Sequence, residues 1–398
     1  MLALLGLAEV LGMSAWFSAS AISPQLQIAW DLEYSQIGWL VGMVQLGFVL
    51  GTAVAAVLNL ADILPSRRYF ATCALGAGIV NAALAMAPSY LSALGLRFLT
   101  GVFLAGVYPP AMKMIATWFR NRRGLAIGTV VGALTVGKAG PYLIRAVGPS
   151  DFRIVILATS AGSLLAAALV ALFYRDGPFP FERKPFSLAL AGTVIRHRPT
   201  RLATIGYLGH MWELYAMWTW IPTFLGASLA AAAGPGQSIS FLGQDALAFG
   251  AIAAGGLGCV WGGWAADRGG RERLVNFAMS ASALSSVGIG FAFAGSPWLV
   301  TLLAWAWGFF VVADSAQFST LVTEVAPRHA VGTALTLQTS VGFLLTLATI
   351  QLVPLLVDLV TWRWAFSALA IGPLVGIQAI RGLAAIRASQ SLPDAANQ

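Results

Sequence analysis

The sequence predicts an all-α membrane protein with twelve transmembrane helices in two pseudo-symmetric bundles of six. Of the 398 residues, 58% are hydrophobic and only 10% are charged, whereas a typical soluble domain carries roughly 25% charged residues. A chain with this composition needs lipid as the solvent for much of its surface. Twelve stretches are long enough to cross a bilayer, and a group of polar and aromatic residues in the first half recurs in the second half.

Each predicted span meets the requirement of about 20 apolar residues for crossing the hydrocarbon core. In chain order the spans are 3–24, 36–58, 69–88, 92–116, 124–146, 153–174, 202–226, 245–266, 274–294, 297–321, 331–357 and 362–385. The longest polar segment, 175–201, contains four prolines and six Lys and Arg residues and is predicted to be a linker. The expected domains are an N-terminal bundle (1–174), this linker, a C-terminal bundle (202–386) and a tail (387–398).

The basic residues predict the orientation in the membrane. Of the 23 Lys and Arg residues, 17 fall in loops on one predicted side, three lie on or near the other side, and three lie within spans. The positive-inside rule then places the linker and both termini in the cytoplasm, and the predicted location is a bacterial inner membrane. The chain enters an apolar run almost at Met1 without a basic flank, so no cleavable signal peptide is expected.

Other classes of protein fit the sequence poorly. The net charge of +8 is spread over short loops, so no nucleic-acid partner is expected. Cys73 and Cys259 lie in separate apolar runs and are predicted to be buried free thiols. The three histidines are too scattered for a metal site, and no nucleophile–base set or phosphate loop appears, so no enzyme activity, metal or cofactor is expected. A channel, or a sensor that has lost transport, remains an alternative to a transporter.

An internal repeat relates the two halves. Three residues of the first span reappear 204 residues later in the seventh: Glu9, Met13 and Trp16 correspond to Glu213, Met217 and Trp220. Asp62, in the loop after the second span, corresponds to Asp267 after the eighth. Such repeats usually hold the substrate at the membrane midplane, between the halves.

The loop after the eighth span resembles a known signature. Residues 263–273 read Gly-Trp-Ala-Ala-Asp-Arg-Gly-Gly-Arg-Glu-Arg, which matches the G-x-x-x-D-R-x-G-R-x-R loop motif of the major facilitator superfamily. The corresponding stretch 58–68 keeps Asp62 and Arg68 but departs from the motif at most other positions. Arg97 with Gly101 resembles a second motif of the family. The glycines before Pro141 resemble, imperfectly, the glycine-proline motif of its antiporters.

The resemblance covers essentially the whole chain and implies a secondary transporter, expected to be a monomer. It also implies that the loops control opening and closing through charge contacts between helices. The expected gating residues are Asp62, Arg67, Arg68, Gly263, Asp267, Arg268, Gly270 and Arg271.

Acidic groups within the spans are the candidates for proton coupling, because ionisable residues in the membrane are costly and commonly functional. Glu9 and Glu213 lie on helices that line the central cavity in the family, and His210 lies one turn before Glu213. Asp314 lies in the tenth span. The alternative for the glutamates is a structural role as protonated groups that hydrogen-bond to neighbouring helices.

Basic and aromatic residues are the candidates for substrate binding. Lys138 lies well inside the fifth span, where it is expected to attract an anion or to neutralise an acid. Arg97 is able to hold a carboxylate or phosphate, whereas Lys113 and Arg145 are expected to reach the membrane surface. The remaining candidates are Trp16, Tyr108, Trp220 and Gln317.

Two kinds of transport fit these residues. The first is proton-coupled transport of a small organic or inorganic anion by alternating access, favoured by Lys138 and Arg97. The second is drug/proton antiport that exports lipophilic compounds, favoured by the two glutamates, the aromatic residues and the partial glycine-proline motif. The expected partners are a small-molecule substrate, protons and the lipid bilayer.

Overall fold

A computed structural model describes residues 1–119, 123–148, 151–179, 186–233 and 243–391, without the side chains of residues 61, 62, 123, 390 and 391. The described residues are mostly helical, and they include no strand. The side chain of Asp62, part of the predicted linker (180–185) and the end of the predicted tail (392–398) lie outside the described residues.

The crossing helices are numbered here in chain order. The first half contains α1 (Leu2–Ala21), α2 (Tyr34–Val57), α3 (Ser66–Met86), α4 (Tyr90–Ala116), α5 (Gly124–Val147) and α6 (Phe152–Phe173). The second half contains α7 (Arg198–Ala233), α8 (Gln244–Gly269), α9 (Arg271–Ala292) and α10 (Pro297–Val325), followed by α11 (Val331–Ala365) and α12 (Ile371–Ser391).

The last apolar stretch, Arg328–Ser389, contains two crossings. Its 62 residues would form a straight helix about 93 Å long, about three times the thickness of the hydrocarbon core. The backbone leaves helical geometry at Thr361, where φ is 62°. Arg387, near the end of the stretch, donates a hydrogen bond to Glu324, which precedes its start. Both ends therefore lie on the same side of the membrane, and the twelve predicted spans are confirmed for the described residues.

The two halves meet along two seams, α5 with α8 and α2 with α11. Glycines allow the α5 and α8 backbones to approach closely. A Cβ atom on Gly132 would lie 2.6 Å from the carbonyl oxygen of Gly256, and one on Gly128 would lie 2.8 Å from that of Cys259. The membrane side that carries the linker is called the linker face below, and the other side the opposite face.

Three helices around the centre are interrupted near the middle of the membrane. In α1 the segment Ser14–Phe17 is a 3-10 helix, α4 is broken between Leu104 and Tyr108, and α10 is broken at Asp314. Irregular backbone at membrane depth is tolerated where protein surrounds it or where it lines a cavity. The breaks therefore indicate where a site lies.

Candidate functional site

A small cavity lies between the two halves at the level of the helix breaks. Its volume is about 60 Å³, which is space for roughly four water-sized groups and far below the 300 Å³ or more of typical ligand pockets. Both halves supply its walls, which include Tyr108 of α4, Thr135 and Lys138 of α5, Tyr215 and Trp218 of α7, Ser315 of α10 and Phe343 of α11.

Lys138 is the cationic side chain of this cavity, and aromatic residues hold it. Its Nζ atom donates a hydrogen bond to the hydroxyl of Tyr215. The same atom lies 4.1 Å from the ring centroid of Trp16, 4.7 Å from that of Tyr215 and 5.2 Å from that of Trp218. Ring faces attract a cation but supply no counter-charge. Among the described residues, no carboxylate lies within 4.0 Å of Nζ.

Glu9 is buried close to this cation without a hydrogen-bond partner. The residue is 0% exposed, and neither carboxyl oxygen has a partner among the described residues. It interacts electrostatically with Lys138 and Tyr108. A buried polar group without a partner is costly, which makes Glu9 a candidate for binding a proton.

Glu213, the counterpart of Glu9 in the repeat, has a different environment. Its Oε2 accepts a hydrogen bond from the hydroxyl of Ser282 at 2.7 Å, and its Oε1 accepts one from Nε1 of Trp307 at 2.6 Å. Both donors belong to the C-terminal half, so Glu213 points into that bundle. The structure brings Glu9, but not Glu213, close to Lys138.

His210 and Asp314 form a second buried pair in the C-terminal half. Nδ1 of His210 lies 2.9 Å from Oδ1 of Asp314, and both side chains are 2% exposed. The contact lacks hydrogen-bond geometry, and Nε2 of His210 has no partner among the described residues. Asp314 occupies the break in α10, so this pair lies at the point where that helix is interrupted.

Arg97 does not face the cavity. Its guanidinium donates to the carbonyl oxygens of Ala15 and Trp16, to the hydroxyl of Ser18 and to the amide oxygen of Asn81. These acceptors include the 3-10 segment of α1. Arg97 therefore stabilises the irregular turn that places the Trp16 ring beside Lys138, and each of its three guanidinium nitrogens already donates to an acceptor.

Two further predicted binding residues also lie outside the cavity. Nε1 of Trp220 donates to the carbonyl oxygen of Ile350 at 2.9 Å, and its ring packs against Tyr34, which is near the opposite face. Oε1 of Gln317 accepts a hydrogen bond from Arg271 at 2.8 Å, which is near the linker face. Of the predicted binding residues, the structure brings together Lys138, Trp16 and Tyr108.

Sequence reasoning did not select the face of α7 that lines the cavity. Met211, Leu214, Tyr215 and Trp218 all line it, and their spacing of i, i+3, i+4 and i+7 places them on one helix face. That spacing was visible in the sequence. The repeat drew attention instead to Glu213, Met217 and Trp220, which lie on another face.

The identity of the chain follows from comparison with known proteins. The sequence profile of the Major Facilitator Superfamily matches residues 5–349, most of the chain. This protein belongs to the major facilitator superfamily. It is therefore a multi-pass membrane protein of this superfamily.

Two curated superfamily transporters resemble parts of the chain. The probable sulfoacetate transporter SauU of Cupriavidus necator is 24% identical over 227 residues, which cover 52% of this chain and 52% of that protein. The niacin transporter NiaP of Acinetobacter baylyi is 32% identical over 89 residues, which cover 22% of this chain and 20% of that protein. The chain thus spans about half, or less, of the length of these relatives.

Solved structures of superfamily transporters share the fold. A mutant of the nucleoside transporter NupG aligns with a TM-score of 0.71 and 15% identity, covering 96% of this chain and 99% of that one. A mutant of the E. coli fucose:proton symporter FucP aligns with a TM-score of 0.68 and 15% identity, covering 96% and 98%. At this level of identity the likeness shows the fold alone.

The superfamily loop motif after α8 lies against the start of α5. A Cβ atom on Gly124 would be 2.8 Å from Oδ1 of Asp267 and 3.2 Å from its Cγ. A carboxylate is favourable there because the first turn of a helix carries partial positive charge. Gly263 also packs against the backbone of Gly124, and Gly270 turns the chain from α8 into α9 with a φ of 90°.

The arginines of the motif have different surroundings. Nε of Arg271 donates to Glu324 of α10 at 2.8 Å, and Arg268 lies over the ring of Trp264 at 4.3 Å. In the first-half loop, Arg67 and Arg68 are exposed. A gating role for either loop remains a prediction.

The α5–α8 and α2–α11 seams are both in contact near the opposite face. Near the linker face the α5–α8 seam stays in contact, whereas the α2–α11 seam is separated by a cavity. Near the opposite face, Arg145 of α5 pairs with Asp245 of α8 at 3.0 Å. One turn from the cavity towards that face, Thr346 of α11 donates to Gln45 of α2. Towards the linker face, a second cavity of about 200 Å³ separates Asn59, at the end of α2, from Thr336 of α11.

Proposed function

We propose that this protein transports a small organic or inorganic anion together with protons, by alternating access of the central cavity to the two membrane faces. The observation that supports this most is the ammonium group of Lys138 in the cavity wall, in a side chain that is only 3% exposed. A buried charge that contacts no carboxylate among the described residues is costly, and aromatic faces offset only part of that cost. Glu9 interacts with Lys138 only from beyond contact distance, and a bound anion would supply a counter-charge in direct contact.

Glu9 is the proposed proton carrier. A single ammonium group neutralises one negative charge, so an anion bound to Lys138 favours the neutral, protonated form of Glu9. Binding of the substrate and of the proton are then linked, because each raises the affinity for the other. His210 and Asp314 form a second proposed proton site, whereas Glu213 already accepts two hydrogen bonds.

The names of the curated relatives agree with an anionic substrate. Sulfoacetate and niacin, the compounds named for SauU and NiaP, are both organic acids that are ionised at neutral pH. Because the matched segments cover half or less of these proteins, the names support the chemical class of the substrate and not its identity.

Drug/proton antiport is the second candidate function, and the aromatic walls of the cavity favour it. Trp16, Tyr215 and Phe343 pack with their ring centroids 5.3–5.9 Å apart. The position of Lys138 opposes it, because a lipophilic cation would meet a like charge in the cavity. We place the protein in a bacterial inner membrane as a monomer, with the linker face cytoplasmic.

The proposed route between the cavity and the cytoplasm lies between α2 and α11, where the second cavity separates the helices. The α5–α8 seam stays in contact as far as Gly124 and Asp267. Access to the opposite face then requires the contact between Gln45 and Thr346 to open.

A cross-link at this contact is expected to stop transport. In a chain with Cys73 and Cys259 replaced by alanine, the double variant Gln45→Cys/Thr346→Cys is oxidised in membranes, and uptake is measured before and after reduction. We expect at least a tenfold loss that a reductant restores, since the closed layer no longer opens. The single-cysteine variants are the controls. Full uptake by the cross-linked chain would rule out access through this layer.

The proposed function is tested by uptake of radiolabelled anions into proteoliposomes that contain the purified chain. An inward proton gradient is expected to accelerate accumulation, and a protonophore is expected to abolish the acceleration. Anion uptake that is indifferent to the gradient would remove proton coupling from the proposal. Gradient-driven movement of lipophilic cations, without any movement of anions, would favour the antiporter.

A further inference from the structure

Two indole side chains that surround Lys138 have N–H groups without an acceptor among the described residues: Trp218, which lines the cavity, and Trp16, which packs beside it. Nε1 of Trp16 and Nε1 of Trp218 are buried without an acceptor, and the two side chains are 0% and 1% exposed. Their ring centroids lie 4.1 and 5.2 Å from Nζ of Lys138. A buried indole N–H usually has a partner, and leaving it without one is costly. Two indole rings that lack acceptors for their N–H groups and pack around one ammonium group point to a ligand with several acceptor oxygens.

The charges near the cavity fit one negative charge on that ligand. Lys138 is the one cationic side chain among the residues that line the cavity. Arg97 directs its donors to α1 and α3, and Arg145 pairs with Asp245. A second negative charge would lie against aromatic rings and beside Glu9, where no described cation is free to neutralise it.

The walls limit the size of the ligand. The ring of Trp16 lies 5.2 Å from that of Phe48 and 5.8 Å from that of Tyr215, measured between centroids. These rings already pack on one another, so no slot for a further aromatic ring lies between them. The cavity volume of about 60 Å³ accommodates roughly four water-sized groups.

We propose that the substrate is a small monovalent oxyanion with about four heavy atoms, of the class of short monocarboxylates and nitrate. Its oxygens accept hydrogen bonds from Lys138, Trp16 and Trp218. This inference rests on the proposed anion transport and specifies the charge, the size and the binding groups of the substrate.

The test measures thermal stabilisation of the detergent-purified full chain, since a ligand that binds only the folded state raises its apparent stability. The probes are acetate and nitrate, acetamide as a neutral analogue of acetate, malonate as a dianion and hexanoate as a longer monoanion. We expect stabilisation by acetate or nitrate at concentrations at least about 100-fold below any effect of the other three probes.

The variant Trp218→Phe removes one N–H group and keeps an aromatic ring. It is expected to weaken the binding of acetate or nitrate about tenfold, the usual effect of one hydrogen bond to a charged group. Trp212→Phe is the matched control on the same helix, because Nε1 of Trp212 donates to the carbonyl oxygen of Ala368. If Trp218→Phe does not fold, the same test is made with Trp16→Phe, which removes the other proposed N–H donor, in α1.

The outcomes separate this inference from the function on which it rests. Binding of malonate or hexanoate as tight as that of acetate, and still lost in Lys138→Ala, would overturn the proposed charge and size while leaving anion transport intact. Unchanged binding in Trp218→Phe and Trp16→Phe would overturn the proposed binding groups. If no anion binds in a manner that depends on Lys138, both proposals are wrong.

Discussion

Replacing Lys138 with alanine is expected to lower anion uptake at least about 100-fold. Removing one partner of a buried ion pair costs about 3–5 kcal/mol, because the anion then enters the cavity without a counter-charge. The substitution also leaves the hydroxyl of Tyr215 without the hydrogen bond that it accepts from Nζ. Uptake into proteoliposomes and thermal stabilisation by the same anion both measure the loss.

The matched control for this prediction is Lys113→Ala. Lys113 is a second lysine within a crossing helix, and it does not line the cavity. A comparable loss of anion uptake in both variants would mean that removing either lysine disturbs the protein in general. The proposal that Lys138 binds the anion would then be wrong. If Lys138→Ala accelerates the export of lipophilic cations, the drug/proton antiporter becomes the better explanation.

Replacing Glu9 with glutamine is expected to uncouple transport from the proton gradient. Glutamine resembles the protonated carboxyl group in shape and charge but does not release a proton. We therefore expect gradient-driven accumulation to fall about tenfold or more, while exchange of internal for external anion, which requires no net proton movement, continues. Both rates are measured in the same proteoliposomes.

Glu213→Gln is the matched control, because it makes the same change at the corresponding position of the repeat. We expect it to keep the response to the proton gradient and to change the stability by less than about 1 kcal/mol, since the amide oxygen still accepts from Nε1 of Trp307 and the NH₂ group is able to donate to the hydroxyl oxygen of Ser282. Loss of coupling in Glu213→Gln, with coupling intact in Glu9→Gln, would move the proton site into the C-terminal half. If neither Glu9→Gln nor Glu213→Gln loses proton coupling, the pair of His210 and Asp314 becomes the candidate proton site.

Most of the fold was readable from the sequence because lipid imposes simple rules on it. A crossing helix needs a long apolar run, so ten of the twelve crossings appeared directly as isolated stretches. The eleventh and twelfth crossings lie in one continuous apolar stretch, which the sequence analysis divided near 357–362. The structure places a break in that stretch at Thr361. The interruption of α10 at Asp314 was not predicted, because no glycine or proline lies beside it in the sequence.

The site was predicted only in part, and the reason differs from residue to residue. Lys138 and Trp16 were selected as a buried charge and a repeated aromatic residue, and the structure places them in contact. Arg97 was an equally strong candidate by charge alone. Its donors face the 3-10 segment of α1, an irregular turn that no apolar periodicity indicates.

Hydropathy and the internal repeat by themselves determined the class of protein and the number of crossings, because both depend on the order of residues along the chain. The superfamily was indicated by the resemblance of residues 263–273 to its loop motif. Which side chains meet was decided by the tertiary structure. Glu9 and Glu213 occupy equivalent positions in the repeat. Glu9 lies near Lys138 and has no hydrogen-bond partner among the described residues, whereas Glu213 accepts two hydrogen bonds from its own bundle. The difference arises because the neighbours of a buried carboxyl group come from other helices, which approach it only when the two halves pack together.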